Sequence, residues 1–207
     1  MYVLYHFPYS QHARRVVSLM VEADLDYELR HVAMDKGEHR SAEYLAINPN
    51  HQVPTLIDGD VKIHESNAML RYLCAKHRLD AWYPQDLPAR AKVEQWLDWN
   101  QCRLSPTVVD IVLNSVFLGA AGDKVAVERG LARLSELWSI LEAGLVDTPY
   151  LAGLRPTIAD LSLASSVFQL TLASITPAGP ATAGWFERVG KLEGFRRSLP
   201  AQVRDKT

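Results

Sequence analysis

Every strand pattern in this chain falls before residue 65, and from there onward apolar residues recur only at helical spacing. Tyr2 to Phe7 is a β-branched and aromatic run that stops at Pro8, and Tyr27 to Val32 gives a second strand. Val53 to Ile57 and Val61 to His64 flank Asp58-Gly59-Asp60, a turn sequence that tolerates the positive φ of a tight hairpin. Between and after them lie three helix patterns. Gln11 to Ala23 carries Ala13, Val16, Val17, Met20 and Val21 on one face, with Arg14, Arg15, Ser18 and Glu22 assigned to the others. Ser41 to Ile47 ends at Asn48-Pro49, and Ser66 to His77 takes Ser66 as its N-cap. The first 78 residues therefore spell β-α-β-α-β-β-α, a small sheet covered by helices.

The remainder reads differently. Residues 79–90, with Trp82, Pro84 and Pro88 and no clear period, read as a linker. Ala91 to Leu118 is a long helix irregular near Pro106, and Asp123 to Leu145 is another. Thr157-Ile158-Ala159-Asp160 forms a capping box with Asp in place of Glu, opening a helix to about Ser174. Two shorter helices follow, at 183–189 and 192–199. The expected organisation is α/β plus all-α: a sheet domain at 1–78, a linker at 79–90 and an all-helical domain at 91–207. This resolves a length of 207 residues, which is long for one typical domain and short for two.

Composition narrows the partners. With 22 Lys and Arg against 24 Asp and Glu, the chain has a net charge of −2 and no basic field for nucleic acid or an anionic membrane. Residues 161–186 carry no charge but include Ser162, Ser165, Ser166, Gln169 and Thr171 and are interrupted by Pro177 and Pro180, so they read as a buried helix and a loop rather than a membrane span. Met1 to Phe7 lacks the pattern of a secretory signal. Two cysteines, Cys74 and Cys102, are too few for a disulfide framework or a cysteine metal site, and both read as buried small hydrophobes in a reduced, cytoplasmic chain. The expected partners are small molecules, with no metal.

Asn48-Pro49-Asn50-His51-Gln52-Val53-Pro54-Thr55-Leu56-Ile57-Asp58-Gly59-Asp60, followed by Ile63-His64-Glu65-Ser66-Asn67-Ala68-Met69-Leu70-Arg71-Tyr72-Leu73, resembles the glutathione-binding segments of cytosolic glutathione S-transferases. Tyr9-Ser10-Gln11-His12-Ala13-Arg14 resembles the serine-type classes, closest to theta-like bacterial members. The resemblance implies the glutathione transferase fold, a thioredoxin-like domain followed by a helical bundle. It further implies glutathione as substrate, an apolar electrophile or peroxide as second substrate, and a homodimer to which Asp98 or Gln101 contributes.

By that resemblance Pro54 is cis and the Val53 backbone pairs with the cysteinyl unit of glutathione as an added strand. Ser66 receives the γ-glutamyl carboxylate at a helix N-terminus, Glu65 meets the ammonium, and Gln11 lies beside the thiol. His39 and Gln52 take the glycyl carboxylate; the family often has lysine where this chain has Gln52. Ser10 is the implied catalytic residue, with Tyr9 as its rival. Lowering a thiol pKa from ~8.5 to ~6.5 takes about 2.7 kcal/mol, and one hydrogen bond to a charged acceptor gives roughly 1.5–3 kcal/mol, so no formal base is needed. A protonated His12 would add to this, and Arg14 and Arg15 would support the site or bridge domains. Phe7, Tyr9, His12, Trp99, Arg103 and Leu104 are the implied electrophile contacts. Two other readings remain: a glutathione-binding or interaction module with little catalysis, and a maleylacetoacetate-type isomerase, disfavoured because His12 stands where those enzymes have cysteine.

Overall fold

The computed structural model describes residues 1–204 and divides into two compact units, Met1–Leu79 together with the segment from Leu192 onward, and Asp80–Lys191. In the first unit β1 (Tyr2–His6), β2 (Tyr27–His31), β3 (Thr55–Asp58) and β4 (Val61–Ile63) form a four-stranded sheet in the order β2-β1-β3-β4. β1 runs parallel to β2, pairing His6 with His31, and antiparallel to β3, pairing Tyr5 with Thr55. β3 and β4 are antiparallel, with Leu56 opposite Ile63. Period-two alternation puts Leu4 on one face, fully buried, and Tyr5 on the other, where it packs against a cluster of Val32, Tyr44 and Val53.

α1 (Gln11–Glu22) is buried on more faces than its apolar pattern shows: Arg14 is 1% exposed, and Arg15 and Ser18 are fully buried. The expected polar faces of this helix are therefore interior. Arg15 donates to Asn67 Oδ1 at 3.0 Å, joining α1 to α3 (Ser66–His77). α2 is a single turn, Ala42–Leu45, capped by Ser41. α9 (Glu193–Arg197) lies so close to α1 that a Cβ on Gly194 would come within 2.2 Å of the Ser18 carbonyl oxygen. Gly194 N–H donates to Glu22 Oε1 at 2.6 Å, and the Ser18 and Ser198 hydroxyls meet at 3.0 Å. The segment expected to complete the helical domain thus packs, from Leu192, within the first unit, because α1 presents a flank that α9 covers; the short α10 (Ala201–Arg204) follows in the same unit.

The second unit is helical. α4 begins at Leu87, with Asp86 as N-cap and Pro88 in the first turn, so the last four residues of the stretch expected to be a linker are a helix start. The helix continues through a π-helical stretch, Asn100–Leu104, into α5 (Ser105–Val112) and a second π-helical stretch, Leu113–Phe117. The first stretch lies immediately before Pro106, whose missing N–H interrupts the regular ladder. α6 (Lys124–Leu145), α7 (Ile158–Thr171) and α8 (Pro180–Gly190) complete the unit. α7 carries one charged residue, Asp160, and is buried through nearly its whole length, and no helix among the described residues is long and apolar enough to cross a membrane. Cys74 is buried as expected; Cys102 is exposed, because it falls on the outer side of the π-helical stretch rather than in the bundle.

Thr157 and Asp160 form the expected capping box. Asp160, fully buried, accepts from Thr157 N at 2.8 Å, Thr157 Oγ1 at 3.0 Å, Leu151 N at 3.0 Å and Trp185 Nε1 at 2.8 Å. Burial pushes its carboxyl above the usual range, while these four donors pull the other way.

Candidate active site

Sheet topology gathers four segments at one end of the first unit. β1 and β2 are parallel, so both leave the sheet there; β3, antiparallel to β1, enters there, and β4 leaves there again. The turn Phe7–Ser10, the short 3-10 turn Glu38–Arg40, the loop ending in Val53-Pro54 and the β4–α3 junction at Glu65-Ser66 therefore share one edge.

Ser10 is the N-cap of α1. Its backbone is extended (φ −77°, ψ 117°), its N–H donates to the Phe7 carbonyl at 2.9 Å, and its Oγ accepts from Ala13 N at 3.2 Å. A hydroxyl has one proton and two lone pairs, so accepting this cap bond leaves the proton for another acceptor. The free N–H groups of the first turn favour negative charge at the same point. Tyr9 donates its hydroxyl to Gln202 Oε1 at 3.3 Å. Gln11 is buried as the first residue of α1. His12 is part-buried, and burial, reinforced by Arg15, holds its imidazole near 3, so it stands as a neutral ring without the added support that a protonated His12 would give.

The Val53-Pro54 peptide is cis, as the resemblance implies. Both residues are buried and precede the first β3 ladder pair, Tyr5 with Thr55. The loop is pinned by residues that sequence reasoning did not single out. Tyr44 donates its hydroxyl to the Gln52 carbonyl at 2.6 Å, Asn48 Nδ2 donates to the same carbonyl at 2.9 Å, and both reach Thr55 Oγ1 at 3.0 Å. Asn48 Oδ1 also accepts from Asn50 N at 3.0 Å, a local turn for which Asn48-Pro49-Asn50 was the available signal. The Gln52 side chain is left exposed. His39 is part-buried in its 3-10 turn, its pKa lowered by burial and then by Arg40 and His51.

At the β4–α3 junction the N-cap is Glu65 rather than Ser66. Glu65 is exposed with φ +70°, an uncommon conformation for a residue other than glycine, and Ser66 is the first helical residue, 4% exposed. The chain turns one residue earlier than the serine suggests, which places the Ser66 N–H among the unpaired donors of the helix N-terminus. Trp99 and Arg103 belong to the second unit: Trp99 is part-buried with its ring edge-on to Trp96 at 5.3 Å, and Arg103 is exposed. Asp98 and Gln101 are exposed as well, whereas Leu104, expected at the electrophile wall, is fully buried within its helix packing.

A four-stranded mixed sheet with a cis-proline loop, followed by an all-helical unit, defines the fold of the two-domain thiol transferases. Residues 1–75 match the family model described as glutathione S-transferase, N-terminal domain, and residues 124–188 the one described as glutathione S-transferase, C-terminal domain. A probable glutathione S-transferase GSTF2 from Oryza sativa subsp. japonica is 33% identical over 190 residues, covering 88% of each chain. The apo structure of human glutathione-S-transferase T1-1 superposes with a TM-score of 0.90 at 30% identity, covering 100% of this chain and 90% of that one. Human glutathione transferase theta-2, solved in complex with glutathione and an unknown ligand, gives 0.87 at 33% identity, covering 100% and 85%. The chain belongs to the glutathione S-transferase family and is an enzyme of that kind.

Proposed function

We propose that this enzyme binds glutathione at the edge formed by Ser10, the cis-Pro54 loop and the α3 N-terminus, and that the Ser10 hydroxyl donates its proton to the sulfur to hold it as thiolate. The observation that carries this reading is the cap geometry: Ser10 Oγ accepts from Ala13 N, so its proton is directed elsewhere, at the positive end of a 12-residue helix. The Tyr9 hydroxyl, already donating to Gln202, is the weaker candidate.

The rest of the tripeptide follows from donors and acceptors along the edge. The Val53 backbone precedes the β3 ladder and pairs with the cysteinyl unit as an added strand. Ser66 N–H and hydroxyl, at the start of α3, take the γ-glutamyl carboxylate, and the exposed Glu65 carboxylate takes the ammonium. Gln52 and His39 donate to the glycyl carboxylate, and Gln11 supports the thiol from the first turn of α1. The bound thiolate attacks an apolar electrophile or peroxide carried against Phe7, Tyr9, His12, Trp99 and Arg103, with no metal required by the chemistry. Stabilising the thiolate lowers the barrier by supplying the nucleophile in its reactive form and in position.

The same reading takes the enzyme as a cytoplasmic homodimer. The homodimer is supported by the exposed apolar strip of Val109, Leu113, Val116 and Phe117 on the second unit, each at least 40% exposed. The test of function is steady-state turnover of glutathione with an aryl chloride, an isothiocyanate, an epoxide and a hydroperoxide. Ser10→Ala is expected to lower kcat/KM by roughly 10²-fold on every substrate turned over, and Tyr9→Phe to leave it within a few-fold. The reverse pattern transfers the role to Tyr9. Glutathione binding without turnover by any substrate favours the interaction-module reading.

A further inference from the structure

We propose that Tyr44 and Asn48 are positioning residues for glutathione: they fix the plane of the peptide between Gln52 and Val53 and so aim the Val53 backbone at the cysteinyl unit. The inference rests on the glutathione edge proposed above and names the groups that set its geometry. α2, the turn after it and the start of β3 bring three polar side chains into the interior. Tyr44 is 4% exposed, and Asn48 and Thr55 are each 1% exposed. Buried polar groups without partners are costly, so the destination of each proton can be worked out.

Asn48 Oδ1 accepts from the Asn50 N–H at 3.0 Å and from Asn50 Nδ2 at 3.1 Å, which fixes the orientation of the Asn48 amide. Its two amino protons then go to the Gln52 carbonyl at 2.9 Å and to Thr55 Oγ1 at 3.0 Å. Tyr44 donates its single proton to the Gln52 carbonyl at 2.6 Å and therefore accepts from the Thr55 hydroxyl at 3.0 Å. Each proton of the three side chains has an acceptor, and both lone pairs of the Gln52 carbonyl are filled.

A trans peptide holds its N–H opposite its C=O, and the bond from Gln52 to Val53 is trans. With the carbonyl held inward by two donors, the Val53 N–H faces away from the cluster. Val53 lies outside β3 and takes part in none of the turn and loop hydrogen bonds among the described residues, so its backbone stays available to an added strand. Tyr44 belongs to α2 and Asn48 to the turn after it, so the carbonyl is held from two separate points. A peptide plane set in advance loses little ordering entropy when the ligand docks. None of these bonds reaches Ser10, so the effect falls on affinity rather than on the sulfur.

Isothermal titration of the whole protein with S-methylglutathione, which has no thiol to ionise, separates docking from thiolate formation. Tyr44→Phe keeps the aromatic ring, removes the hydroxyl and is expected to weaken binding about tenfold. Glutathione turnover is expected to show the same loss in KM, with kcat at saturating glutathione and its pH profile held within about twofold. Thr55→Val removes the other hydroxyl at constant shape; it is expected to match Tyr44→Phe and carries the test where that variant does not fold. Thr55→Ser restores the hydroxyl and is expected to bind like the wild type. Hydrogen exchange at the Val53 amide, read by NMR, is expected to slow about tenfold when S-methylglutathione is added to the wild type, and less in Tyr44→Phe. Val53 protection with unchanged affinity in both hydroxyl-deleting variants overturns the positioning role and leaves the glutathione edge standing. Binding that leaves Val53 unprotected overturns both together, and a loss confined to kcat overturns the positioning role by placing Tyr44 with the chemistry.

Discussion

The edge proposed for glutathione is built from residues whose backbone and side chain do different things. Ser10 caps a helix with its lone pair while its proton remains available, and Glu65 turns the chain at φ +70° while its carboxylate stays exposed. Glu65 makes no cap bond through its side chain, but its charge favours the buried Arg15 guanidinium, so Glu65→Gln is expected to lower thermal stability by about 1–3 kcal/mol. It should also weaken glutathione binding by about tenfold, through loss of the ion pair with the ammonium. Equilibrium titration beside a melting curve separates the two; unchanged binding removes Glu65 from the site. Much of this edge was legible as Ser10, Val53-Pro54 and Glu65-Ser66, because caps and turns are written in local chemistry. The one-residue displacement of the cap was not, since serine is the better cap former and no local rule asks glutamate to adopt a positive φ.

At the scale of elements, helix starts in the second unit are fixed by carboxylates. Asp160 gathers four donors from Thr157, Leu151 and Trp185, tying the start of α7 to a preceding loop and to α8. Glu142 of α6 does the same for α8, accepting from Ala181 N at 2.9 Å and Thr182 N at 2.8 Å. Gly179 precedes them at φ +91°, where a Cβ would fall 2.4 Å from the Glu142 carboxyl. Asp160→Asn keeps the shape but leaves one oxygen for four donors, so a loss of about 2–4 kcal/mol is expected in urea unfolding. A loss within 0.5 kcal/mol would mean that the network is dispensable. The capping box was readable four residues at a time. Its reach to Trp185 was not, and neither was the true start of α4, where Asp86 and Pro88 carried the signal but Trp82 and Pro84 made the stretch look irregular.

Across the whole molecule, allegiance between distant segments is the least local property. The C-terminal segment has ordinary amphipathic spacing, and only the close approach of Gly194 to α1 reveals which unit it completes. Burial also tunes titration across the first unit: the imidazoles of His6 and His12 sit near 4 and near 3, against an ordinary 6.5. The unfolded chain therefore binds more protons than the native one below 6.5. Stability is fully present above that pH and declines as pH falls toward the folded values, by up to about 1.4 kcal/mol per pH unit for each ring. Urea unfolding at pH 7, 6 and 5 is expected to show this decline, and His12→Gln to make it shallower; an identical slope in the variant would assign the acid sensitivity elsewhere.

The central claim is that the Ser10 hydroxyl holds the glutathione sulfur as thiolate. Ultraviolet absorbance of enzyme-bound thiolate, titrated with pH in the wild type and in Ser10→Ala, measures this directly. The wild type is expected to ionise bound glutathione near ~6.5, and Ser10→Ala to return it toward the ~8.5 of a free thiol, a difference of about 2.7 kcal/mol. An apparent pKa that is the same in both proteins would contradict the assignment.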